Sequence, residues 1–184
     1  MGEHIIEDFS KANPEFRAVL LRYFNPAGAH QSAKIGESPT YNASNLVPVI
    51  TETAIGKREK VTVFGDDYNT RDGSCIRDYI HVMDLGNAHT KSLEYLLGKR
   101  NETPCEIFNV AIGAGVSVLE AIQAFERSTQ QQLNYSIGPR RAGDVEAVYA
   151  NLDRATAKLN WQPKRSIDDI MRTAWEWEKV RSAK

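Results

Sequence analysis

Pro139-Arg140-Arg141-Ala142-Gly143-Asp144 puts two guanidinium groups, a glycine and a carboxylate in one short stretch. Arginine grips phosphate oxygens in two places, and an aspartate accepts from sugar hydroxyls, so the set suits a phosphorylated, hydroxylated ligand. The same residues also describe a solvated surface turn. Arg77-Asp78-Tyr79 carries a similar pair of readings: Arg77 binds an anion, or it pairs with Asp78 or Asp84. Asn25 follows the apolar run around Leu20 and precedes Pro26. Ligands of open α/β sheets sit beyond the carboxyl ends of strands, which makes Asn25 a candidate contact; a plain turn start before proline is the alternative.

Other motifs lose their chemistry on inspection. Ile112-Gly113-Ala114-Gly115-Val116-Ser117 has the look of a dinucleotide-binding G-x-G-x-x-G, but Val118 stands where the third glycine belongs. Ser117 and Glu120 form an S-x-x-E capping box, which accounts for the helix start without a cofactor. Tyr95 and Lys99 match Y-x-x-x-K, in which a nearby cation lowers the phenol pKa so that phenolate acts as base. Gly98 breaks the turn between them, and a lysine closing a helix suits its dipole, so we read a helix end. The four histidines and two cysteines show no metal-ligand spacing, and Cys75 and Cys105 build no disulfide framework. His81 reads as a packed, hydrogen-bonded residue. The residues themselves give an anionic-ligand site, no catalytic base and no metal.

These side chains need a scaffold. The 184 residues, 41% hydrophobic and 26% charged, suit one globular domain. A net charge of -1 gives no basic excess for nucleic acid, and no apolar run reaches the 18 or so residues that a membrane span needs. With no secretory leader read at Met1, a cytoplasmic protein is expected. Periodicity predicts a helix over 2–12, a strand at 18–21 buried on both faces, a long loop from 25 to 43 and a helix over 44–55. Strands follow at 61–64, 77–82, 106–111 and 134–137, with helices at 84–97 and 117–128 and two closing helices starting near Asp153 and Asp168. Such alternation predicts an α/β fold. Trp175 and Trp177 cannot share one helical face, so one packs on the core and the other meets solvent or a partner.

Leu21-Arg22-Tyr23-Phe24-Asn25-Pro26-Ala27-Gly28-Ala29-His30, Asn45-Leu46-Val47-Pro48, Val63-Phe64-Gly65 and Arg77-Asp78-Tyr79-Ile80-His81-Val82 occur in an order that resembles the UDP-glucose (UDP-galactose) 4-epimerase family. Asn109-Val110-Ala111, Ser117-Val118-Leu119-Glu120 and the Pro139–Asp144 block continue it, so the resemblance spans essentially the whole chain. Sugar-nucleotide dehydratases and decarboxylases share the scaffold, and a non-catalytic UDP-sugar-binding module is a further alternative. The resemblance implies a fold: the C-terminal substrate-binding portion of an NAD(P)-binding Rossmann-type enzyme, with an incomplete parallel sheet. It implies roles as well. Phe24 touches the nicotinamide end of NAD, Asn25 the sugar or diphosphate, and Asn45 the phosphate. Thr62, Val63 and Phe64 flank the uracil, Arg77 and Arg141 share the diphosphate in one pocket, and Asp144 meets the ribose. Val148 falls where relatives carry either tyrosine or a small residue, which implies room for UDP-N-acetylhexosamines beside UDP-glucose and UDP-galactose. A homodimer using Ile5, Ile6 and Phe9 is implied too.

The departure is large. The family's glycine-rich NAD unit and its Y-x-x-x-K precede the asparagine–proline strand, and neither stands before Asn25 in this chain. Residues 1–184 are therefore expected to form a single substrate-binding portion. Segments 1–24 and about 105–128 would belong to a Rossmann part whose N-terminal half is missing, and the chain alone would be inactive.

Overall fold

The computed structural model describes residues 1–183. Helix α1 (Gly2–Ala12) leads into β1 (Ala18–Tyr23) and β2 (Asn25–Ala27); α2 (Leu46–Ala54) precedes β3 (Val61–Phe64), β4 (Ile76–Arg77) and β5 (Tyr79–His81). Helix α3 (Val82–Leu97), β6 (Cys105–Val110), β7 (Val116–Ser117) and α4 (Val118–Thr129) follow. Strands β8 (Tyr135–Gly138) and β9 (Ala147–Val148), a π-helical turn (Ala155–Leu159) and α5 (Ile167–Ser182) complete the chain.

The strands pair in four small groups. β1 runs parallel to β6, β2 to β5 and β3 to β8, while β4 lies between antiparallel β7 and parallel β9. The line from β1 to β2 changes partner at Phe24, because the amide of Asn25 bonds the Asp78 carbonyl instead of β6. A backbone that changes partners opens a crevice beyond the strand ends, where ligands of α/β sheets sit. Two apolar clusters flank it. One joins Val47 and Ile50 of α2, Val63, Ile122 and Phe125 of α4, and Met171 of α5; the other joins Phe108 and Val110 of β6, Tyr95 of α3, Leu159 and Trp161.

Several expectations need correction. β1 is half-buried at Ala18–Leu21 and exposed at Arg22 and Tyr23, since β6 flanks only one of its edges among the described residues. The loop expected from 25 begins as strand β2, because Pro26 pairs as an edge residue with Ile80. The strand expected over 77–82 is divided at Asp78, and Val82 begins α3 instead, with His81 at the end of β5 capping it by accepting from the Met83 amide at 3.1 Å. The helix expected from Asp153 does begin there but is short: Asp153 and Arg154 open it, it passes into the π turn Ala155–Leu159, and Asn160 in left-handed backbone ends it. The Ser117 box is present: the Glu120 amide donates to Ser117 Oγ at 3.0 Å, and the Ser117 amide to Glu120 Oε2 at 2.9 Å. Trp175 packs edge-on against Phe125, whereas Trp177 bonds the loop after β2.

Candidate functional site

A cavity of about 340 Å³ opens beyond β2 and β4. Phe24 and Asn25, Asn45 at the start of α2, Thr62 and Phe64 of β3, Arg77 of β4, and Arg141 and Asp144 of the 139–144 loop all line it. Strand alternation turns Thr62 and Phe64 to this side and sends Val63, 1% exposed, into the core. Val63 and Val148 are the two expected site residues that do not line the cavity; Val148 lies on β9 in register with Arg77.

The two arginines meet at one atom. Asp144 Oδ1 accepts from Arg141 Nη2 at 2.7 Å and from Arg77 Nη2 at 3.4 Å. Arg77 is further held by the Ile76 and Val145 carbonyls at 2.8 and 2.6 Å, so it pairs with neither Asp78 nor Asp84. Arg141 lies 5.5 Å over the Phe64 ring, and its hydrogen bond to Asp144 holds its pKa above the ordinary value. Arg140, next in sequence, does something else: it pairs with Asp67 and stacks 4.1 Å over Tyr68, fastening the loop to the end of β3. Two cations beside one carboxylate leave a local excess of positive charge in the cavity lining, which suits an anion.

Asp78 is the hidden support of this group. Fully buried, it accepts from the amides of Ile112, Gly113 and Ala150 at 3.0 to 3.2 Å, tying β4, the glycine turn and the end of β9 together. Burial raises its carboxyl pKa, against the lowering effect of those amides. Sequence reasoning missed Tyr79, Leu46 and Cys75, which also line the cavity. The signal for Tyr79 was its place directly after Arg77-Asp78; burial pushes its phenol well above the ordinary range, so it stays neutral.

NAD finds a partial fit. Phe24 offers an aromatic face at the cavity edge. The glycine turn offers no dinucleotide cradle: the Ile112 and Gly113 amides are taken by Asp78, and a Cβ on Gly115 would lie 2.5 Å from Ile76 Cγ2. Phe24, the one residue expected to meet NAD, does line the cavity. No group of three or more His, Cys, Asp or Glu could hold a metal, and no helix is long and apolar enough to cross a membrane, among those residues.

The family model described as GDP-mannose 4,6 dehydratase matches residues 1–174. A UDP-glucose 4-epimerase of Erwinia amylovora is 47% identical over 97% of this chain and 52% of its own length. The chain belongs to this family and is a homologue of UDP-glucose 4-epimerases. A UDP-glucose 4-epimerase from Stenotrophomonas maltophila, crystallised with NAD and formylated UDP-arabinopyranose, superposes with a TM-score of 0.95 at 41% identity, over 99% of this chain and 53% of its own. The UDP-Glc/GlcNAc 4-epimerase of Campylobacter jejuni has a TM-score of 0.79 at 41% identity, over 98% of this chain and 54% of its own. This epimerase homologue thus has the mixed α/β architecture of its Rossmann-fold relatives, and it spans about half the length of the curated relatives it matches.

Proposed function

We propose that this chain holds the UDP part of a UDP-hexose during NAD-dependent inversion at the sugar C4, as a portion of a UDP-glucose 4-epimerase. The convergence of Arg77 and Arg141 on Asp144 carries the reading. Both guanidiniums would take the diphosphate, Asp144 would serve the ribose hydroxyls while holding the arginines apart, and Thr62 and Phe64 would flank the uracil, Val63 between them being turned into the core. Asn25 and Asn45 would meet the phosphate and sugar side, Asn45 beside the open amides of α2.

NAD, when bound, supplies the hydride acceptor and donor at C4. The residues of this chain position and orient. Anchoring at the diphosphate, with Arg77 fixed by two carbonyls, leaves the hexose free to turn about its phosphate linkage. Phe24 would shield the nicotinamide end from water. Tyr79 is a neutral donor, and the carboxylate of Asp144 is engaged by two cations, so neither serves as the base. Acceptance of UDP-N-acetylhexosamines is proposed from the family resemblance at Val148, which lies in register with Arg77 but outside the cavity lining. The free thiols Cys75 and Cys105 support a reducing, cytoplasmic setting.

Calorimetric titration of UDP into the chain tests the reading. Charge-assisted bonds to phosphate are worth about 1.5 to 3 kcal/mol, so Arg77→Ala and Arg141→Ala are each expected to weaken binding roughly ten- to hundredfold. Absent UDP binding, or affinity unmoved by both substitutions, would overturn it.

A further inference from the structure

The segment after β2 is fastened to one face of α5. The Ala29 amide donates to Thr173 Oγ1 at 3.1 Å, and Trp177 Nε1–H donates to the Glu37 carbonyl at 2.7 Å. Thr173 and Trp177 are four residues apart and so lie one above the other on the helix. Contact at Trp177 is close: a Cβ on Gly36 would lie 2.5 Å from the indole Cγ, so only glycine lets the backbone rest on the ring. Between the two fastenings the segment folds on itself through an antiparallel bridge from Ala29 to Gly36.

The Glu37 side chain then reaches a residue of the cavity lining. Its Oε1 accepts from Asn45 Nδ2 at 3.0 Å. Asn45 is the N-cap residue of α2, yet its side chain makes no capping bond. An asparagine at that position ordinarily turns its oxygen to the amides of its own helix. Here the third helical residue is Pro48, which has no N–H to offer, and the carboxylate of Glu37 engages the Asn45 amide group instead. Among the described residues the Asn45 side-chain oxygen and second N–H have no partner, and the amides of Leu46 and Val47 stay open beside the cavity.

We propose that Glu37 is a positioning residue, clasped to α5 by Trp177, that sets the Asn45 amide for the phosphate-bearing ligand. The inference rests on the UDP-binding reading and adds a residue outside the cavity lining to it. Glutamate suits the task because it accepts without competing for phosphate. Glutamine at 37 retains a carbonyl acceptor for Asn45, whereas alanine retains none.

The test combines calorimetry with UDP and side-chain amide NMR of the ¹⁵N-labelled chain. Losing one oriented hydrogen bond is expected to weaken UDP binding about fivefold in Glu37→Ala, with Glu37→Gln within about twofold of wild type. Trp177→Phe keeps a ring against Gly36 but removes the indole N–H, and is expected to fall between them. In an Asn45→Ala background, Glu37→Ala should add nothing further, since the residue it orients is gone. Without ligand, Glu37→Ala should move the Asn45 side-chain amide pair, and Trp177→Phe should move it in the same direction. The proposal is overturned if Glu37→Ala binds UDP as wild type does, if its loss persists undiminished in the Asn45→Ala background, or if the Asn45 amide pair stays in place. Should wild type bind no UDP, the functional reading fails alone, and the Asn45 amide signals still decide the positioning.

Discussion

His81 shows how one side chain makes a helix start depend on pH. It is 1% exposed, donates through Nε2 to Thr173 Oγ1 at 3.0 Å and accepts at Nδ1 from the Met83 amide. Because Thr173 gives its own hydroxyl proton to the Asp169 carbonyl, the neutral Nε2–H tautomer satisfies every partner. Burial, and then the charge of Arg165, lowers the pKa from 6.5 to about 4, while Asp84 and Asp169 pull weakly the other way. Between those values the unfolded chain binds a proton that the folded chain refuses. Stability is therefore complete above about pH 6.5 and falls as pH drops towards 4, by up to about 3 kcal/mol. His81→Asn keeps a cap acceptor and removes the titration. Chemical unfolding of the two proteins across this window should show the slope in wild type and its flattening in the variant; parallel slopes would contradict the assignment.

At the scale of elements, the site depends on what the strands leave unpaired. β1 has β6 on one edge and no strand on the other among the described residues, and its Leu20 and Leu21 are only half-buried. Alongside, α1 exposes Ile5 at 62% and Phe9 at 52%, so the helix shields its own apolar face poorly. An open apolar strand edge recruits further chains, and an exposed apolar helix face adds to that tendency. We expect the isolated 184-residue chain to associate with rising concentration, and Ile5→Asp with Phe9→Asp to weaken the association. Sedimentation velocity over a concentration series checks this; a single monomer boundary throughout would count against it. Homodimerisation through α1, involving Ile5, Ile6 and Phe9, is the ordered form of the same proposal. Elsewhere the elements are well held: buried Asp84 of α3 accepts from the Lys164 and Arg165 amides at 3.0 and 2.9 Å, bringing the segment before α5 against α3. A buried carboxylate with such partners is costly to leave unmatched, which is why one residue can fix two helices.

The whole molecule is a cradle set between two apolar clusters, with the arginines on loops and short strands at its mouth. Among the described residues that line the cavity, the Asp144 carboxylate is engaged by two arginines and burial keeps the Tyr79 phenol neutral, so the 184-residue chain alone is expected to give no turnover of UDP-galactose with NAD. A full-length protein carrying this sequence should interconvert UDP-galactose and UDP-glucose, and the resemblance at Val148 implies that it should also accept UDP-GlcNAc. Product analysis on both substrates checks this, and activity on UDP-galactose without any on UDP-GlcNAc would remove the wider specificity. The sequence by itself determined what adjacent residues can decide: the Ser117–Glu120 box, the apolar stripes of α3 and α4, and the α/β alternation all arise from contacts within a turn or two. It also supplied the chemistry of the site, since guanidinium and carboxylate have their donors and acceptors wherever they stand. Tertiary structure gave the two neighbouring arginines different surroundings, because Arg140 finds Asp67 and Tyr68 from a distant segment while Arg141 lines the cavity beside Asp144. It likewise divided the strand at Asp78, whose partners lie 34 and more residues away, and joined Trp177 to Glu37 across 140. Such pairings have no local period for a sequence to display; they exist only once packing has brought the segments together.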